Sequence, residues 1–224
     1  MIDVIYLAAG RGTRAKLGYP KQFARLGGRP IMVHGLEVLQ RMEEVGKIIL
    51  TYPRGEGPEE TKAVIHPYIE RENLLLVEGG STRQRSVFNA LEWVETPEVL
   101  IMEAVRPFIS VDFIRSVIEK KGEVVTPWRT ATSSVVTGNG IFLNRDNVGE
   151  VQMPQKFETS KLRKAHLMAQ AGSRNFTDDA TLVWKMLYIH PQLVEGLEEN
   201  IKITTPLDLI IAEAIYDARH RDRE

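Results

Sequence analysis

A short apolar run, Val4-Ile5-Tyr6-Leu7, opens directly into the glycine-rich, basic stretch Ala8-Ala9-Gly10-Arg11-Gly12-Thr13-Arg14, and this junction constrains the chain more than any other feature. The apolar run predicts a strand buried on both faces, as in a parallel sheet. The residues after it carry little side chain at Ala8, Ala9, Gly10 and Gly12, so backbone N–H groups can come close to a bound group. Arg11, Arg14, Lys16 and Lys21 add positive charge around them. Small residues and cations placed directly after a strand describe a loop that holds phosphate. A lone Gly-x-Gly is equally compatible with a tight basic turn, so the next residues matter. The dinucleotide fingerprint is excluded because Thr13-Arg14 stands where its third glycine belongs, and the P-loop is excluded because no Gly-Lys-Ser/Thr occurs.

At 224 residues the chain has the length of a single α/β domain, 1–224, with an appendage. Its 29 basic and 30 acidic residues give a net charge of −1, so no global field draws it to nucleic acid or to an anionic membrane. The basic patch around the first loop is therefore local and specific. The absence of cysteine excludes disulfides, thiolate metal sites and a cysteine nucleophile. The N-terminus enters a strand pattern at once, and no apolar run approaches the roughly 18 residues of a membrane span. A cytoplasmic protein is expected.

After the loop, Pro30 to Met42 has helical spacing, Lys47 to Tyr52 reads as a strand, Glu59 to Arg71 as a helix and Leu74 to Val77 as a strand. The order predicts a mostly parallel, Rossmann-like sheet flanked by helices. A strand then ends in Gly79-Gly80, followed by the cap-like Ser81 and a helix that begins with Arg83, Arg85, Ser86 and Val87. Val99 to Met102 is the next strand, leading into Glu103-Ala104-Val105-Arg106-Pro107. Val111 to Lys121 is a helix and Glu123 to Thr126 a strand. Residues 127–155, rich in Thr, Ser and Val around Gly138-Asn139-Gly140, predict a β-hairpin arm that projects from the core and needs something to pack against. Helices at Ser160–Gln170, Asp178–Leu187 and Leu207–Arg219 complete the chain.

The stretch from Leu7 through Pro20-Lys21-Gln22-Phe23 resembles the AAG-x-G-x-R…PKQ signature of the nucleotidyltransferases that make CDP-linked alcohols, the 2-C-methyl-D-erythritol 4-phosphate and ribitol 5-phosphate cytidylyltransferases. Further elements follow in the family's order. Gly79-Gly80-Ser81-Thr82-Arg83-Gln84-Arg85-Ser86-Val87 is similar to GG-x-x-R-x-x-S-V, and Met102-Glu103-Ala104-Val105-Arg106-Pro107 to His-Asp-Ala-x-Arg-Pro. Pro127-Trp128-Arg129-Thr130-Ala131 resembles Pro-Val-Arg-Asp-Thr, Met153-Pro154-Gln155 resembles Thr-Pro-Gln, and Thr177-Asp178-Asp179-Ala180 resembles Thr-Asp-Glu-Ala. Asn200-Ile201-Lys202-Ile203-Thr204-Thr205-Pro206 resembles Asn-Ile-Lys-x-Thr-x-Pro. Among the departures, Met102, Glu103, Ala131 and Met153 lie in the half that would meet the acceptor.

The resemblance implies attack by an acceptor phosphate oxygen on the α-phosphorus of CTP, with release of pyrophosphate and a catalytic role for Arg14, Lys21 and Lys202. It places the nucleotide on Leu7, Ala8, Ala9, Gly10, Gly12, Gly79, Gly80, Ser81, Arg83 and Ser86. The acceptor, a small phosphorylated or phosphonate compound, falls to Glu103, Arg106, Thr130, Arg145, Met153 and Thr177. Mg²⁺ is implied, held mainly by the CTP phosphates with Glu103 as the nearest carboxylate. The arm is implied to join two subunits into a homodimer. The residues alone leave Glu103 open as a solvated strand-end charge and Thr177 or Asp178 as a helix cap. 2-C-methyl-D-erythritol 4-phosphate is the expected acceptor, with ribitol 5-phosphate or a phosphonate as the alternative. A non-catalytic nucleotide-binding protein is the alternative of another class.

Overall fold

The computed structural model describes residues 1–10, 20–69 and 73–221. Its main sheet runs β10-β7-β11-β6-β1-β4-β5, with β12 also paired to β7. The strands are β1 (Ile2–Leu7), β4 (Val45–Tyr52), β5 (Leu74–Glu78), β6 (Glu98–Glu103), β7 (Val124–Thr130), β10 (Gly149–Val151), β11 (Gln155–Glu158) and β12 (Gln192–Glu195). β1 pairs in parallel with both β4 and β6, β4 with β5, and β12 with β7, whereas β10 and β11 run antiparallel to their neighbours. The mostly parallel sheet expected from the alternation of strands and helices is thus present, with two reversed strands inserted.

Alternation along the strands sorts the core onto two faces. Val4, Tyr6, Ile48, Leu50, Leu100 and Met102 pack on one face with α1 (Ile31–Gln40) and α4 (Val111–Glu119). Ile5, Ile49, Val99 and Ile101 pack on the other with α3 (Arg83–Leu91), α5 (Thr159–Ala171) and α6 (Asp179–Leu187). On α1, Met32, Val33, Leu36 and Leu39 are fully buried, each worth roughly 1.5–3 kcal/mol of apolar transfer. The Tyr6 hydroxyl donates to Met32 O at 2.8 Å, and burial pushes its phenol far above the usual range. That bond ties the helix to the strand from which the first loop departs.

α2 (Glu59–Ile65) and α7 (Pro206–Arg221) complete the helices, and a small pair, β2 (Arg25–Leu26) with β3 (Arg29–Pro30), precedes α1. Among the described residues no helix is long and apolar enough to cross a membrane.

The region expected as a hairpin over 127–155 is built differently. β7 continues through Pro127 to Thr130, because Pro127 needs no donor there and its carbonyl accepts from Gln152 N at 2.8 Å. A two-residue pair, β8 (Val135–Val136) with β9 (Phe142–Leu143), surrounds the Gly138-Asn139-Gly140 turn. The chain then returns along β10 and enters the sheet as β11 between β6 and β7. Gln155 therefore belongs to the sheet. It is fully buried, and its Nε2 donates to Thr126 Oγ1 and to Asp178 Oδ2, both at 2.8 Å.

Candidate active site

The strand order places a site before any side chain is considered. From β1 the chain proceeds outward to β4 and β5, then crosses back to lay β6 on the other side of β1. Connections diverge at such a switch point and leave a crevice beyond the carboxyl ends of the strands. Here the crevice is a cavity of about 750 Å³, within the range of small-molecule sites. Leu7, Ala8, Ala9 and Gly10 line it after β1, Thr51, Arg54 and Gly55 after β4, Gly80, Ser81, Thr82, Arg83 and Ser86 after β5, and Glu103 and Val105 after β6. Lys21, Gln22 and Lys202 close the lining.

Local chemistry fixes the loops. Ala8 N donates to Thr51 Oγ1 at 3.1 Å, and Gln22, itself buried, donates through Nε2 to Ala8 O at 2.5 Å. Gly79 N donates to Tyr52 O, and a Cβ on Gly79 would lie 2.3 Å from that of Ala9, so only glycine lets the two loops close on each other. Gly80 N donates to Ser86 Oγ at 3.0 Å, which in turn donates to Thr82 O at 3.0 Å. The cap of α3 is Thr82, whose hydroxyl accepts from Arg85 N. The expected cap, Ser81, stands one residue earlier and is exposed into the cavity instead.

Charge is organised around Glu103, at the end of β6 and 8% exposed. Lys202 Nζ lies 2.7 Å from its Oε1, Arg106 Nε 3.1 Å from Oε2, and Arg83 Nε 3.5 Å from Oε1. Burial would raise this carboxyl, but Lys202, Arg83 and Arg106 outweigh burial and hold it at about 2. Arg106 Nη1 donates to Asn200 O at 2.6 Å, Ile203 N to Val105 O at 3.0 Å, and Lys21 Nζ to Ile203 O at 2.8 Å. Residues 200–203 thereby clip the C-terminal part of the chain between the first loop and the end of β6. The described lining carries the cations Lys21, Arg54, Arg83 and Lys202 against the single carboxylate of Glu103. Such a cavity suits a polyanion.

A metal held by protein ligands does not fit this arrangement. No cluster of three acidic or histidine residues occurs among the described residues, and both Glu103 oxygens already face cations. The donor set fits only a divalent cation that arrives on the phosphates of a ligand.

Among the residues singled out from sequence, Leu7, Ala8, Ala9, Gly10, Lys21, Gly80, Ser81, Arg83, Ser86, Glu103 and Lys202 converge on this cavity. Gly79 supports it through the loop contact with Ala9. Gly12 and Arg14 lie outside the described residues. Arg106 stands behind Glu103 rather than in the lining. Thr130 and Thr177 are exposed at the end of β7 and before α6, and the exposed Arg145 reaches Thr132 O at 3.5 Å. Met153, expected to face the acceptor, is 5% exposed and packs with Ile5, Phe157 and Val183 in the core. Sequence reasoning missed Arg54 and Gly55. Their signal was an arginine in a Pro/Gly-rich turn directly after a buried strand, the same signature that marked the first loop.

A sequence model of the 2-C-methyl-D-erythritol 4-phosphate cytidylyltransferase family matches residues 2–218. The enzyme of that name from Geobacillus kaustophilus is 34% identical over 97% of both chains. A bifunctional enzyme, IspD/IspF, from Desulfotalea psychrophila is 37% identical over 94% of this chain, which spans only 55% of that longer protein. Among solved structures, 4-diphosphocytidyl-2C-methyl-D-erythritol synthase from Anaerococcus prevotii superposes with a TM-score of 0.84 at 28% identity, covering 97% of this chain and 96% of that one.

Proposed function

Because the chain belongs to the 2-C-methyl-D-erythritol 4-phosphate cytidylyltransferase family, we propose that it transfers the CMP unit of CTP to the phosphate of 2-C-methyl-D-erythritol 4-phosphate, a step of isoprenoid-precursor synthesis. The observation that carries this reading is the cation frame built on Glu103 at the switch point of the sheet, where one cavity gathers Lys21, Arg83 and Lys202. A phosphate oxygen of the acceptor attacks the α-phosphorus. As that bond forms, the bond to the bridging oxygen of the β-phosphate breaks and pyrophosphate leaves.

Two anions must be brought together and the growing charge neutralised, so alignment and electrostatics supply the catalysis. Lys21 and Lys202 act on the α-phosphate and the leaving pyrophosphate, with Arg14 assigned beside them from the motif. Backbone donors of Ala9 and Gly10 approach the triphosphate, and the backbone of residues 7–9 with Gly79, Gly80 and Ser86 reads the cytosine edge. Glu103 keeps the cations aligned. Mg²⁺ carried on the triphosphate would neutralise charge that the side chains do not reach.

From the motifs the acceptor phosphate is assigned to Arg106, which stands behind Glu103, and to Arg145 of a second subunit. Dimerisation through residues 131–148 is supported by the exposure of Val136, Ile141, Phe142 and Leu143. The burial of Met153 in the core removes one of the four sequence departures in the acceptor half.

Pyrophosphate release from CTP and Mg²⁺ tests the reading, with 2-C-methyl-D-erythritol 4-phosphate, ribitol 5-phosphate and 2-aminoethylphosphonate offered side by side. Turnover of the first is expected. Turnover of another acceptor alone would overturn the named substrate, and silence with all three would favour a binding protein.

A further inference from the structure

Behind the cavity lies a buried polar chain that the transfer mechanism does not use. Arg83 lines the cavity, and its Nη1 donates to Asp179 Oδ2 at 2.6 Å. The other oxygen of Asp179 is 3.2 Å from Nε2 of His166, on α5. Asp179 and His166 are each 1% exposed, and neither lines the cavity. Burying an ionised carboxylate is costly unless its partners return that energy, so such a group needs a reason. Capping is not the reason. Asp178 already caps α6 by accepting from Thr181 N, and its second oxygen accepts from Gln155.

The geometry of Arg83 supplies the reason. A guanidinium is a planar fork of five donors, and fixing two of its edges fixes the third. Nη1 is held by Asp179 and Nε faces Glu103. Nη2 is buried and has no acceptor among the described residues. A buried donor without a partner is costly, and because Arg83 also lines the cavity, an oxygen of an anion bound there is the partner available to it.

We infer that Asp179, oriented by His166, is a positioning residue that aims the guanidinium of Arg83 so that Nη2 meets a phosphate oxygen of the bound nucleotide. This rests on the cytidylyltransferase reading above. Burial would raise the Asp179 carboxyl, but Arg83 and His166 outweigh it and hold the group below its usual value, consistent with a charged anchor.

The test is a double-mutant cycle in kcat/KM for CTP with Arg83→Ala, Asp179→Asn and the pair, each assayed well below its melting temperature. Positioning predicts that Asp179→Asn lowers kcat/KM about 10- to 100-fold in the native background and by less than about twofold once Arg83 is alanine. A structural role would cost the same factor in both backgrounds, and that result, or no loss at all, would overturn the inference. If Asp179→Asn does not fold, His166→Gln runs through the same cycle with an expected loss of about three- to tenfold, again only when Arg83 is present. If the wild-type protein turns over no CTP, the functional reading fails separately. The cycle is then read as the Kd for CTP by calorimetry, with the same two patterns deciding it.

Discussion

The cavity and the segment of residues 131–148 are built on opposite principles. Around the cavity, buried charges are interlocked by contacts far apart in sequence, such as Lys202 with Glu103 and Arg83 with Asp179. In residues 131–148 most side chains are exposed, and the local order includes the two-residue β8–β9 pair and Thr137, which bonds Ile141. One region arrives prepared for a ligand because its charges already have partners. The other has few contacts to hold it within one chain, and the proposed dimer would supply them. Nucleotide recognition should therefore be a property of the single chain, and acceptor recognition a property of the pair.

The largest effect that sharpens this contrast is expected from Lys202→Ala. Glu103 keeps Arg83 and Arg106, so the fold persists, while kcat/KM for CTP should fall about 10²- to 10³-fold in steady-state assays. Next comes Glu103→Gln, which leaves Lys202 and Arg106 without their anion and Arg83 with Asp179 alone. A carboxyl held at about 2 instead of 4.5 contributes on the order of 3 kcal/mol. Because the folded value is depressed, that contribution is fully present above about pH 4.5 and is lost as the pH falls through about 2. Urea unfolding should show the variant weaker by that amount at neutral pH, with the two proteins converging in acid.

A smaller and separate effect is expected in residues 131–148. Phe142→Asp, at a side chain 77% exposed, should shift sedimentation toward the monomer and raise KM for the acceptor about tenfold, leaving KM for CTP within about twofold. Arg145→Ala should keep the dimer and raise only the acceptor KM, about three- to tenfold. Equal damage to CTP binding by either change would break the division between the two regions.

Much of this was legible in the chain, for physical reasons. The apolar runs of β1, β4 and β6 announce buried parallel strands, and the small residues after β1 and β5 announce close backbone approach. β11 was hidden because Gln155 and Lys156 are polar. Both are buried only because distant partners satisfy them, Lys156 Nζ by the carbonyls of Ile118 and Lys120. Met153 looked like a pocket residue because motif alignment places a residue in the chain but says nothing of which way its side chain turns. Glu103 and Asp179 depart from the family motifs by one methylene in opposite senses. Sequence could not relate them, yet they flank the same guanidinium.

Following the α-phosphate of CTP is the most direct test of the central claim. With radiolabel at that phosphorus and 2-C-methyl-D-erythritol 4-phosphate as acceptor, direct attack predicts that all transferred label appears in the CDP-linked product, with none on the protein and none in pyrophosphate. Label retained on the protein, or released as CMP without an acceptor product, would contradict it.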